Sequence, residues 1–339
     1  MTILPRQWCH LEPKARDLRG HHPLPAAALS PYIRAVAVPD PLLVFDRTVL
    51  RRRRDRAARG WTSQAFLKRE IAERLVERLD DVRRGFALAL DLGCHGDEIA
   101  TALGERSAVG QLVRSDLGET FARRAAGPAV VADEEALPFA ATSFDLVMSA
   151  MALHWVNDLP GTLIQICRIL KPDGLFLGAM LGGGTLWQLR QALAAAESEI
   201  EGGLSPRVSP FADLRDAAGL LQRAGFALPV ADGETIEVEY ESALALMRDL
   251  GAMGEGNLVL ERRRGMGRRA TLLRAAEIYG ERFAGPSGRV MASFEVLFLH
   301  GWAPHASQPK PLKPGSAALR LSEALGTAEH SAGEKVERS

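Results

Sequence analysis

Cysteine is scarce in this 339-residue chain: Cys9, Cys94 and Cys167 are too few and too far apart for a disulfide framework or a cysteine-based zinc site. A reducing compartment suits such a chain. Aromatic residues make up only 6% and are scattered, so no base-stacking platform is visible. Excess charge is missing too, with 42 basic residues against 42 acidic. That balance argues against nucleic acid as a partner and gives no sign of an anionic membrane surface. The longest uncharged runs, such as 175–187, fall short of the ~20 apolar residues of a membrane span, which leaves peripheral association as the only membrane contact open. The proline-rich stretch 1–41 shows neither helical nor strand periodicity. It holds Glu12, Asp17 and Asp40 and little serine, unlike a transit peptide. It is expected to be a disordered arm.

What is present is hydrophobic residue, 47% of the chain, ample for one sizeable core with additions. An arginine-dense run, 51–54 with Arg56 and Arg59, opens the ordered part and reads as a solvated helix face. Phe66, Leu67, Ile71, Leu75, Val76 and Leu79 then recur at helical spacing within 62–84. From Phe86 the pattern changes to short apolar runs without polar alternation, at 86–90, 109–113, 129–132, 144–151 and 175–180. Such runs suit strands buried on both faces. Helical stretches separate most of them, which implies βαβ units in a parallel sheet. Lys171-Pro172-Asp173-Gly174 reads as a breaker and turn. Beyond it, helices are expected at 185–201, 211–224 and 268–283, and strands at 235–240 and 290–300. The expected organisation is a helical lid over 45–84, a Rossmann-like core over 85–230, a completion over 231–302 and a disordered tail over 303–339.

The chemistry is expected at the strand ends. Asp91-Leu92-Gly93-Cys94-His95-Gly96-Asp97 follows the first strand, where a glycine turn lets a cofactor approach the backbone and the next helix offers free N–H groups. Asp91 suits an ammonium. Asp116 ends the second strand, about 20 residues on, where an acid accepts ribose hydroxyls. Asp133 and Glu134 follow the third, where a carboxylate accepts an adenine amino group. The predicted cofactor set is Asp91, Gly93, Cys94, His95, Gly96, Asp116, Asp133, Glu134 and Met151. His154, just after the fourth strand, is the candidate general base or substrate-orienting residue, with a hydrogen-bonded structural histidine as its alternative. His95-Gly96-Asp97 has the His-x-Asp spacing of a non-haem iron site, but it lies in the cofactor turn, and no metal site is assigned. Gly182-Gly183-Gly184 suggests a mobile or closely approached loop.

These motifs resemble a known family. Phe45-Asp46-Arg47, Leu90-Asp91-Leu92-Gly93-Cys94, Ala132-Asp133-Glu134-Glu135, Leu153 through Pro160, Ile169 through Gly174, and Leu250 through Glu255 look like the arginine hydroxylases that serve as respiratory complex I assembly factors. The resemblance covers about 43–317. It implies a class I S-adenosylmethionine (SAM) methyltransferase fold: an α/β, Rossmann-like, seven-stranded mostly parallel sheet with helices on both faces, an N-terminal helix and C-terminal helical additions. It further implies SAM as cofactor and the unassembled quinone-site subunit of complex I as partner. The location would be cytoplasmic in a bacterium and the matrix side in a mitochondrion. Part of the motif set is shared with malonyl-acyl-carrier-protein O-methyltransferases, and a non-catalytic assembly chaperone is a third reading. Asp97 departs from the family's glycine, and a carboxylate there would repel the cofactor's own carboxylate if it faced it.

Overall fold

The computed structural model describes residues 43–104, 108–263, 265, 267–309 and 319–328. The expected arm at 1–41 and most of the expected tail lie outside them. The chain divides into two units, 1–304 and 305–339.

In the first unit the apolar runs become β1 (Phe86–Leu92), β2 (Val109–Asp116), β3 (Ala129–Val131), β4 (Phe144–Ala150) and β5 (Leu170–Leu181). Two long strands, β6 (Ala227–Tyr240) and β7 (Val290–Trp302), complete the sheet in the order β3-β2-β1-β4-β5-β7-β6. The first five run parallel, and β7 is antiparallel to both β5 and β6. The order reverses between β1 and β4, so the ends of those strands and of β2 frame a crevice, the place where such sheets take ligands. Lys171 through Gly174 does not stop the chain as a breaker. The strand begins at Leu170 and absorbs the segment as a register shift, Phe144 opposite Leu170 and Leu146 opposite Leu175.

Helices cover both faces. One layer holds α2 (Phe66–Glu77), α6 (Trp187–Glu201), α8 (Ala243–Met253) and α9 (Arg269–Phe283), and the other holds α5 (Leu159–Ile169) and α7 (Leu214–Arg223). The short α3 (Glu98–Leu103) and α4 (Glu119–Arg124) follow β1 and β2. Asp158 caps α5 by accepting the Gly161 N–H at 2.8 Å, and Pro160 sits in its first turn, where a missing N–H costs nothing. The arginine run forms α1 (Arg47–Ala57), capped by Asp46 on the Val49 N–H. Asn157 fixes the entry to α1: its Oδ1 accepts the N–H groups of Val44 and Phe45 at 2.8 and 2.7 Å. In the second unit a five-residue helix, α10 (Leu321–Leu325), stands in the stretch expected to lack structure.

Candidate functional site

The turn after β1 is tight and fully packed. Gly93 has φ +76°, and a Cβ there would strike Ala152, so glycine is required twice over. His95 and Asp97 adopt left-handed φ of 50° and 69° without being glycine. Hydrogen bonds hold both. The His95 N–H donates to Asp116 Oδ2 at 3.0 Å. The Asp97 carboxylate accepts the Ala126 N–H at 3.0 Å and pairs with Arg114 at 2.6 Å. Asp97 therefore answers Arg114 rather than the crevice, and the expected repulsion with a cofactor carboxylate does not arise from its position. Gly96 lies under the Trp61 ring, which leaves no space for a side chain there.

Lys68, on α2, is 1% exposed and donates to the Gly93 carbonyl at 2.6 Å. It also meets His95 Nδ1. Burial, followed by the charges of Lys68 and Arg54, pushes the His95 imidazole well below its ordinary value, so it is neutral and Nδ1 can accept from the ammonium. His95 and Asp97 thus face different partners, and their iron-like spacing does not bring them together. Cys94 is buried, and its thiol is pushed up by desolvation, so it is inert packing. The Asp91 carboxylate has neither a hydrogen bond nor an ion pair among the described residues: both of its oxygens are buried and have no hydrogen-bond partner. Desolvation raises its carboxyl to about 7, with Lys68 and Arg114 acting in the opposite direction.

The acids at the ends of β2 and β3 are where the sequence places them, and α1 has reached them first. Asp116 Oδ1 accepts the Gly118 N–H at 2.7 Å and lies 3.6 Å from Arg54 Nη1. Arg54 Nη1 donates to Glu134 Oε1 at 2.6 Å, and Arg47 Nη2 donates to both Glu134 and Asp133. Arg54 and Glu134 are buried, and Arg54 Nη2 has no partner. Burial alone would raise the Glu134 carboxyl, but the two guanidiniums hold it down to about 2. Arg54 is a correction to the solvated-face reading of the arginine run: it turns inward and closes the crevice, and its neighbour Arg53 is half-buried.

The fourth strand ends at Ala150, and Met151, 3% exposed with φ 54°, carries the chain back under the turn. His154 and Trp155 follow in a single 3₁₀ turn. The ring nitrogens of His154 both have partners: Nε2 pairs with Glu255 Oε2 at 3.1 Å, and Nδ1 accepts the Leu181 N–H at 3.5 Å. Trp155 Nε1 donates to the same Glu255 oxygen at 3.0 Å. This engagement suits an orienting role better than a free general base. Beside the pair lies a cavity of about 690 Å³, lined by aliphatic side chains such as Leu67 of α2, Leu189 and Leu193 of α6 and Leu250 of α8, together with charged and polar ones including Arg53, Glu255 and Asn257. The glycine triplet beside it is closely approached but well tied. Gly182 N–H donates to the Glu295 carbonyl at 2.9 Å, Gly183 N–H to the Ala212 carbonyl at 3.0 Å, and Gly184 N–H to the Glu295 carboxylate at 2.7 Å.

The predicted cofactor set, Asp91, Gly93, Cys94, His95, Gly96, Asp116, Asp133, Glu134 and Met151, lies at the carboxyl ends of β1 to β4. Sequence reasoning missed Arg47, Arg54, Trp61, Lys68 and Glu255. The first three lie inside or beside the arginine run, whose members look alike until α1 is docked. Glu255 lies about 100 residues beyond His154 and is brought back only by the α8 packing.

A family model described as a methyltransferase domain matches residues 90–178, the stretch from β1 into β5. The arginine-hydroxylase NDUFAF5 of Danio rerio is 42% identical over 287 residues, covering 83% of this chain and 89% of that protein. The Homo sapiens protein of the same name is 42% identical over 292 residues, covering 84% of each. A malonyl-[acyl-carrier protein] O-methyltransferase of Methylovorus sp. (strain MP688) is 37% identical over 282 residues, covering 79% of this chain and 93% of that protein.

Proposed function

The chain belongs to the NDUFAF5 arginine-hydroxylase family, within the SAM-dependent methyltransferase superfamily, and from that premise we propose that it modifies an arginine side chain on the quinone-site subunit of respiratory complex I before that subunit is assembled. The observation that carries this reading is the 42% identity spread over 89% of the Danio rerio arginine hydroxylase. No helix among the described residues is long and apolar enough to cross a membrane. The enzyme would meet its target on the cytoplasmic side in a bacterium, or on the matrix side in a mitochondrion.

SAM is the cofactor. The partnerless, buried Asp91 carboxylate fits its ammonium, and Asp116, Asp133 and Glu134 offer acceptors suited to a nucleoside. When bound, SAM supplies a methyl group activated by a sulfonium. Arg54 and Arg47 now fill the acceptors at Asp116 and Glu134, so α1 must release them before a nucleoside can sit there. His154 orients Glu255, and Lys68 fixes the Gly93 carbonyl at the turn.

Deleting the gene in its host tests the reading. Assembled NADH:quinone oxidoreductase should fall while the cells still grow without biotin. Biotin auxotrophy with normal complex I would overturn it in favour of acyl-carrier methylation.

A further inference from the structure

The cavity beside Trp155 has an uneven chemistry. Its walls include Leu181, Leu186, Leu189, Leu193 and Leu250. Most of its charged lining is already neutralised: Arg262 pairs with Asp46 at 3.1 Å, Arg207 with Glu197 at 2.7 Å, and Arg263 with Glu201. Two lining charges remain. The Arg53 side chain makes no hydrogen bond or ion pair among the described residues; burial, then the nearby Arg262 and Arg56, lower its pKa, while Asp46 and Glu255 act in the opposite direction. Glu255 is the other. Its Oε2 serves His154 and Trp155, while Oε1 accepts from no described group. The side chain is 7% exposed.

A carboxylate with one idle oxygen in an apolar cavity calls for a cationic donor. A guanidinium suits it best, because it is planar and weakly hydrated and can give two parallel N–H groups to one carboxylate edge. The leucine walls call for apolar groups on either side of that cation, and Arg53 calls for an oxygen acceptor such as a peptide carbonyl. An anionic head on an acyl chain would satisfy Arg53 but would meet the Glu255 charge. The geometry points to Glu255 as the residue that selects the substrate guanidinium, held in position by His154 and Trp155, and to a target arginine flanked by aliphatic residues. The inference rests on the arginine reading above and adds the residue that enforces it. The cavity also adjoins the cofactor turn through α2: Leu67 lines the cavity while its neighbour Lys68 holds the Gly93 carbonyl.

The test uses the full chain and an end-blocked seven-residue peptide, Ala-Leu-Val-Arg-Val-Leu-Ala, with a twin carrying citrulline in place of arginine. Citrulline keeps the shape and removes the charge. Calorimetry on the wild-type protein should show the arginine peptide binding about tenfold or more tighter than its twin, the difference expected for a charged hydrogen bond. Glu255→Gln should erase that discrimination, and Glu255→Asp should restore part of it, with thermal unfolding recorded for each variant. Retained discrimination in a folded Glu255→Gln protein would overturn the assignment while leaving the arginine reading intact. Equal binding of the two peptides by the wild-type protein would overturn the assignment without any variant. Binding of malonyl-pantetheine in place of either peptide would overturn the arginine reading with it.

Discussion

Asp91 is the residue on which the crevice most depends, because its buried carboxylate has no partner. Its carboxyl sits at about 7 in the folded protein, against an ordinary 3.8. Between those values the folded state holds more protons than the unfolded one, so stability falls as pH rises through that window and levels off above about 7. The loss is on the order of 4 kcal/mol at most. Asp91→Asn should therefore raise the melting temperature at pH 8 and change it little at pH 4; a lower melting temperature at pH 8 would show that the charge has a partner. Seating an ammonium against Asp91 should favour its ionised form. S-adenosylhomocysteine binding near pH 6.5 should then release protons, measurable by calorimetry in buffers of differing ionisation enthalpy. Asp97 gives the opposite expectation. Its carboxylate faces Arg114 and the Ala126 N–H, so Asp97→Gly should move S-adenosylhomocysteine affinity by no more than about threefold, roughly 0.7 kcal/mol. A larger gain in affinity would mean that the carboxylate does face the cofactor.

At the scale of elements, α1 is the part that decides access. Arg54→Ala removes a guanidinium from Glu134 and Asp116 but leaves Arg47 on Glu134. S-adenosylhomocysteine should bind about tenfold tighter, a gain near 1.4 kcal/mol. The ligand-free variant should melt lower, since breaking a buried pair strands the remaining charge. In the wild-type protein, saturating S-adenosylhomocysteine should expose α1 to trypsin, seen as faster cleavage within 51–56; protection would contradict the closed-lid account. The helix itself was legible from its sequence, and so were β1 to β5, because strands buried on both faces leave unbroken apolar runs. Asp91 and Asp116 were legible because they end such runs. Arg54 was not: four consecutive arginines differ only in which one meets the crevice, and that depends on how Asn157 fixes the approach to α1. The glycine triplet could be read as mobile or as closely approached, and the choice was not legible because its tie to Glu295 comes from a strand more than 100 residues away.

At the scale of the whole molecule, the parallel sheet brings the cofactor turn and the apolar cavity to the same edge, with α2 between them. Glu255 completes that arrangement from just beyond α8; its segment, Leu250 through Glu255, stands out by family resemblance, but nothing local gives the carboxylate a role until it meets His154 and Trp155. The central claim is that this arrangement serves to modify a protein arginine. Mass spectrometry of the quinone-site subunit of complex I, taken from wild-type cells and from cells lacking this gene, tests it most directly. One arginine should carry an added oxygen or an added methyl group in the wild type and neither in the deletion. An unmodified arginine in both strains would contradict it.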